Sequence, residues 1–137
     1  MTLKTKRGGE LRGCIGSIMP TQPLYLTVLD KAKAAAFHDT RFAPLTHSEL
    51  DKVVIDITML APPHRVGSYK DIVLGRDGII LEKHGRSAVF LPHVPTEFGW
   101  TLPATLQQLS MKAGLAKDAW QHGATYEVFE GFEFKER

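Results

Sequence analysis

An α+β fold, an antiparallel sheet with helices inserted among its strands, is predicted by three features of the chain. Its apolar runs are short and separated by turn residues, as at Gly75-Arg76-Asp77-Gly78 and Lys83-His84-Gly85. Only two long stretches, one after Pro23 and one after Thr101, carry a helical repeat. The helices therefore do not alternate with strands one for one, as a doubly wound parallel sheet would require.

Leu11 to Ile15 reads as a strand running into a loop. Pro20 and Pro23 bracket a turn, and Thr21 or Gln22 is expected to cap a helix that begins at Pro23, where proline is tolerated. That helix should reach Phe37, because Leu24, Val28, Ala32 and Ala35 recur at helical spacing and the alanine-rich stretch from Lys31 to Ala36 favours helix. The alanines would also let another element approach closely. His38 to Phe42 follows as a loop ended by Pro44. Thr46 and Glu49 have the spacing of a capping box, which opens a short helix. Val53 to Leu60 is the clearest strand: Ile55, Ile57 and Met59 alternate with Asp56 and Thr58, giving one face expected to be buried and one more polar. Ala61-Pro62-Pro63 stops it.

From Ile72 to Leu91 the pattern predicts a meander. Ile72-Val73-Leu74 is read as a strand, Gly75 to Gly78 as a hairpin turn, Ile79 to Leu81 as the next strand, and Ser87 to Leu91 as the third. Pro92 and Pro95 end this sheet. Thr101 opens a helix with Leu102, Leu106, Leu109 and Ala113 on one face, and Gly114 closes it. Tyr126 to Phe129 is the last strand, after which Phe132 and Phe134 are expected to pack a terminal segment. Phe98, Trp100 and Trp120 read as core or interface aromatics.

A chain of 137 residues suits one compact domain, spanning residues 1–137, with a core of its own. A net charge of +2 with both signs interspersed gives no basic stripe for nucleic acid. Lys4, Lys6, Arg7 and Arg12 make the amino end locally basic, which fits a solvated terminus. The single cysteine rules out an intrachain disulfide or a cysteine-based zinc site and suits a reducing compartment. No apolar run has the length of a membrane span, and none resembles a signal peptide at the amino end. The expectation is a cytoplasmic protein with no membrane and no nucleic-acid partner.

Several blocks, in order, resemble the AMMECR domain family. Leu11-Arg12-Gly13-Cys14-Ile15-Gly16 is similar to its signature hexapeptide, and Ala35 through Thr46 resembles its second block. Gly75-Arg76-Asp77-Gly78-Ile79, Leu91-Pro92-His93-Val94, Gly99-Trp100 and Lys112-Ala113-Gly114-Leu115 match the remaining ones. His93 and Thr40 stand where glutamine and proline are usual. The resemblance implies a two-part α+β domain with a cleft near the hexapeptide, and it names no reaction. It also implies association with a Memo-like protein and a radical-SAM protein in bacteria and archaea, and a regulatory role in a eukaryotic branch. Members usually carry a leading helix and strand, so this chain reads as short at its amino end. Met1 to Lys4 looks too brief to replace them, which predicts an unpaired sheet edge, an apolar groove and possible self-association.

The candidate chemistry lies around Cys14. Gly13 and Gly16 let backbone approach on either side of Cys14-Ile15, and at least one is expected in close backbone contact or at positive φ. Arg12 supplies a charge near the thiol. Asp39 and Arg41 could form a bidentate pair pinning their loop, or Arg41 could hold a carboxylate or phosphate; Arg12 and Arg41 converging on one cleft would make an anion site. The ligand-binding candidates are thus Arg12, Gly13, Gly16, Asp39 and Arg41, the hexapeptide and the Asp39–Arg41 loop being expected to face one another across a cleft. Two functions follow. The first is a ligand- or partner-binding accessory component of a multi-protein system. The second is an enzyme with Cys14 as catalytic nucleophile and a nearby histidine, His38 among them, as base. Against the second stands a plain reading of Cys14 as a small buried packing residue. The six histidines show no helical metal-ligand spacing, and neither a metal nor a cofactor is implied.

Overall fold

The computed structural model describes residues 1–136. It is α+β: seven strands, every described pairing antiparallel, with three α-helices and three short 3-10 helices. The chain divides into two compact units, Met1–Met59 with the segment from Phe132 onward, and Leu60–Gly131.

The first unit holds β1 (Thr2–Thr5), β2 (Leu11–Cys14), α1 (Leu24–Phe37), a 3-10 helix (His47–Lys52), β3 (Val53–Leu60) and the end of β7 (Thr125–Lys135). Its strand order is β2-β1-β3-β7. Met1 to Lys4, read as too brief to replace a leading helix and strand, contributes most of β1, and β1 is paired on both sides where an unpaired edge was expected. Leu3 is buried on it. The hairpin to β2 closes through Gly8 and Gly9, both at positive φ.

Helix α1 follows the expected bounds but not the expected cap. Pro23 is its N-cap residue and no side chain caps it; the Gln22 amide instead donates to Asp30 at 2.7 Å. Of the predicted face of Leu24, Val28, Ala32 and Ala35, only Ala35 is fully buried, Val28 and Ala32 are half-buried and Leu24 is exposed. Strand β3 has the predicted ends, but at its centre the expected burial is reversed: Ile55 is 36% exposed and Asp56 only 6%, while Ile57, Thr58 and Met59 are all half-buried. The Lys4 ammonium lies 2.8 Å from the Asp56 carboxylate, which offsets the cost of covering that charge. Strand periodicity defines two faces without saying which one is covered.

The second unit holds β4 (His64–Val66), a 3-10 helix (Tyr69–Asp71), β5 (Asp77–Lys83), β6 (Arg86–Phe90), α2 (Val94–Phe98), α3 (Leu102–Lys112), a 3-10 helix (Ala119–Gln121) and β7 as far as Gly131. Strands β4 and β5 both pair with β7, and β6 lies outside β5. Ile72, Ile79, Leu81, Leu106, Leu109, Tyr126 and Val128 form the core. Helix α3 is as the sequence predicts: the Thr101 hydroxyl accepts the Ala104 amide, and Gly114, at positive φ, follows the C-cap Ala113.

The meander differs from expectation. Ile72 to Leu74 is not a strand. The buried Asp77 carboxylate accepts the Val73 amide at 2.8 Å and the Arg76 guanidinium at 2.9 and 3.1 Å, which folds residues 73–77 into a turn. Gly78 therefore lies inside β5, where it is paired across from Phe129. The one β5–β6 hairpin turn is His84-Gly85, with φ of 52° and 74°. Strand β4 and helix α2 carry too few residues to show a period and were not anticipated. Phe132 and Phe134, expected to pack, are exposed on β7. Trp120 is buried, its ring meeting Tyr69 edge-on at 5.0 Å, and Phe98 is exposed but stacked on Trp100 at 4.6 Å.

Candidate functional site

The hexapeptide and the loop after α1 meet along the outer edge of β2, wholly within the first unit. The β1–β2 register sets Thr2 opposite Cys14 and Leu3 opposite Gly13, then Lys4 opposite Leu11, so Arg12 is an extra residue in β2. Such a bulge re-aims the side chain it carries. On one face of the strand Gly13 lies directly against the Ala35 backbone of α1, where no Cβ fits. The Ile15 amide donates to the Met1 carbonyl, which leaves the backbone groups of Cys14 pointing away from β1.

Asp39 and Arg41 take up those groups. The Cys14 amide donates to Asp39 Oδ2 at 2.9 Å, and Arg41 Nη2 reaches the Cys14 carbonyl at 3.4 Å. The two side chains also pair bidentately, Nε to Oδ1 at 3.0 Å and Nη2 to Oδ2 at 2.8 Å, and the Arg41 amide donates to Oδ1 at 3.1 Å. This closes the open strand edge with a carboxylate and a guanidinium in place of a neighbouring strand. The Arg41 guanidinium, and then the Cys14 amide, hold the Asp39 carboxyl far below the usual carboxylate range. Asp39 in turn raises Arg41.

Arg12, released by the bulge, forms a second bidentate pair with Glu49 of the first 3-10 helix, at 2.9 and 3.2 Å. Glu49 also accepts the Thr46 amide and hydroxyl, the reverse arm of the predicted capping box. Arg12 first, and Thr46 after it, lower the Glu49 carboxyl to about 2. Phe42 lies between the two clamps, its ring 6.0 Å from the Arg12 guanidinium and 5.5 Å from that of Arg41. The arginines do converge, on Phe42, but each is already matched by a carboxylate. The arrangement is two neutral clamps and not the bare anion site the sequence suggested. Arg12 Nη1 is buried with no hydrogen-bond partner among the described residues.

The Cys14 sulfur is 3.4 Å from the Thr2 hydroxyl. The register sets Thr2 opposite both Cys14 and Asp56, so a thiol, a hydroxyl and a carboxylate form one row across β2, β1 and β3, with Lys4 beside it. Among the described residues no histidine hydrogen-bonds the thiol, and no group of three or more His, Cys, Asp or Glu is placed to hold a metal ion. The structure thus brings together Arg12, Gly13, Cys14, Asp39 and Arg41. Gly16 stands apart, with open space where a Cβ would go. Sequence reasoning missed Glu49 as partner of Arg12, Thr2 as neighbour of the thiol, and the Lys4–Asp56 pair beyond Thr2 on the next strand. Only the strand register reveals them.

The depressed carboxyls predict an acid-dependent stability. Both fall below their ordinary values on folding, so the unfolded chain binds protons first as the pH drops. Their contribution is full above about pH 5 and declines from about pH 4.5 downward, for Glu49 until its folded value of about 2 is passed. Urea midpoints between about pH 5 and 2.5 should therefore fall less steeply in Glu49→Gln and in Asp39→Asn than in the wild type. Parallel slopes in all three proteins would reject the clamps as acid-labile elements.

A family model described as AMMECR1 matches residues 1–134. A protein of Aquifex aeolicus is 40% identical, the alignment covering 99% of this chain and 73% of that one. One from Methanocaldococcus jannaschii is 39% identical, with 98% and 71% covered. The crystal structure of an uncharacterized protein from Pyrococcus horikoshii superposes with a TM-score of 0.88 at 34% identity, covering 99% of this chain and 71% of that chain. Among the described residues, no helix is long and apolar enough to cross a membrane.

Proposed function

This chain belongs to the AMMECR1 family, and on that premise we propose that it is a binding protein, an accessory component of a cytoplasmic multi-protein system with a Memo-like and a radical-SAM protein. The observation that carries this reading is the closed edge at Cys14. Both backbone groups of Cys14 are held by a bidentate Asp39–Arg41 pair, and the thiol lies against the Thr2 hydroxyl. A preorganised rim of that kind suits recognition, because little ordering remains to be done on binding. Nucleophilic catalysis by Cys14 asks for a histidine within hydrogen-bond reach of the sulfur. Arg41, 57% exposed while its partner is covered, is the group best placed to meet a partner.

The test is titration calorimetry of the purified chain against Memo-like and radical-SAM proteins of the same organism. One of the two should bind, and Arg41→Ala should weaken that binding by about tenfold or more, with Arg41→Lys no better because it lacks the planar fork. Absence of binding to both would remove the accessory reading. Cys14 alkylation followed against pH decides the rival: rapid reaction well below about pH 8.5, the free-cysteine reference, would turn the reading to an enzyme.

A further inference from the structure

Strand β6 is an edge strand of the second unit, and among the described residues no strand pairs with its outer side. The two-residue His84-Gly85 turn, with both residues at positive φ, makes Lys83 and Arg86 a hydrogen-bonded pair. Bonded pairs alternate along an antiparallel ladder, so Leu81–Ala88 and Ile79–Phe90 are bonded, while Ser87 and Val89 turn their backbone groups away from β5. One side-chain contact agrees independently: the Val89 carbonyl accepts Lys112 Nζ, from the end of α3, at 2.7 Å. Among the described residues nothing else bonds the Ser87 amide, the Ser87 carbonyl or the Val89 amide.

The chemistry around this edge is specific. Lys112 sits 5.0 Å over the Phe90 ring, Phe90 meets Trp100 at 5.7 Å, and the exposed Phe98 stacks on Trp100. Arg86 is exposed at the other end of the strand, its guanidinium 3.4 Å from the Gly114 carbonyl. Strand β6 contains no acidic residue of its own. On its opposite face the neighbour of Ser87 is Glu82. An edge lysine discourages pairing with another cationic strand or with a second copy of the same edge.

We propose that the β6 edge is a docking strand for an extended acidic segment of a partner protein. The segment adds main-chain bonds at Ser87 and Val89 and seats its carboxylates over Lys112 and Arg86. The methylene stems of those acidic side chains rest against the Phe98–Trp100 stack. Strand addition gives the Val89 carbonyl a backbone donor, which frees the Lys112 ammonium to pair with a carboxylate. Alternation along the added strand places acids on the Phe90 face only, away from Glu82. This surface lies in the second unit and is independent of the Cys14 junction.

The probe is a capped octapeptide alternating glutamate and valine, with a lysine–valine counterpart, and the readout is amide exchange in the intact chain. The Glu–Val peptide should slow exchange at Ser87 and Val89 by about tenfold or more near saturation, and the Lys–Val peptide should not. Lys112→Ala should weaken the effect by about tenfold, with exchange at the core residue Leu81 unchanged as evidence that the fold is intact. The proposal is overturned if the two amides stay unprotected, if the lysine peptide protects them equally, or if protection grows with protein concentration in the absence of peptide, since the edge would then pair with itself.

Discussion

Gly13→Ala is expected to destabilise the protein by about 3 kcal/mol or more, at the upper end of overpacking substitutions. A Cβ at position 13 would overlap the Ala35 carbonyl oxygen and lie 3.0 Å from its carbonyl carbon. Backbone inside a helix cannot yield as a flexible side chain can, so α1 would have to move off β2. That shift also disturbs the junction: the neighbouring Cys14 amide is bonded to Asp39, which lies two residues beyond the end of α1. Gly16→Ala is the control, because a Cβ there would point into open space and its φ is not positive, and it should stay within about 0.5 kcal/mol of the wild type. Urea unfolding of the two variants side by side checks this. A Gly13→Ala protein within about 1 kcal/mol of wild type would mean that the helix relaxes freely.

Gly78→Ala should cost about 3 kcal/mol as well, for a different reason. Gly78 and Phe129 are direct cross-strand partners on β5 and β7, and an alanine Cβ at position 78 would overlap the far end of the phenyl ring. Phe129 is almost fully buried and has no empty space to swing into. The companion Phe129→Leu should lose about 1–3 kcal/mol alone yet add little in the double variant, because the smaller side chain makes room for the new methyl. Thermodynamic coupling of the two substitutions in urea melts is the measurement. Strict additivity would show that the ring contact is not what excludes a side chain at position 78.

These two glycines show how far the residues themselves could be read. At Gly13 the absent Cβ was understood as room for close backbone approach, and that is its role; at Gly16 the same reading has no counterpart. Asp77-Gly78 has the composition of a hairpin turn, and in the fold Asp77 bonds backward to Val73 while Gly78 makes space for a ring from β7. By sequence the hexapeptide and the Asp39–Arg41 loop are expected to face one another across a cleft, whereas in the fold the two are in direct hydrogen-bonded contact. The form of that contact, a closed strand edge with each arginine matched by its own carboxylate, was not anticipated.

Local chemistry was enough for whatever depends on neighbours in the chain. The α+β class, the limits of β3, the Thr101 cap and Gly114 stop of α3, and the family blocks around Cys14 all follow from side chains a few residues apart. Tertiary structure alone decided which face of β3 is covered, that Arg12 bulges out to find Glu49, that Thr2 stands beside the Cys14 sulfur, and which strands present open edges. The physical reason is that a period of two or 3.6 residues defines faces without naming what covers them. Register, by contrast, is set by hydrogen bonds between strands far apart in sequence, and a one-residue bulge redirects everything that follows it.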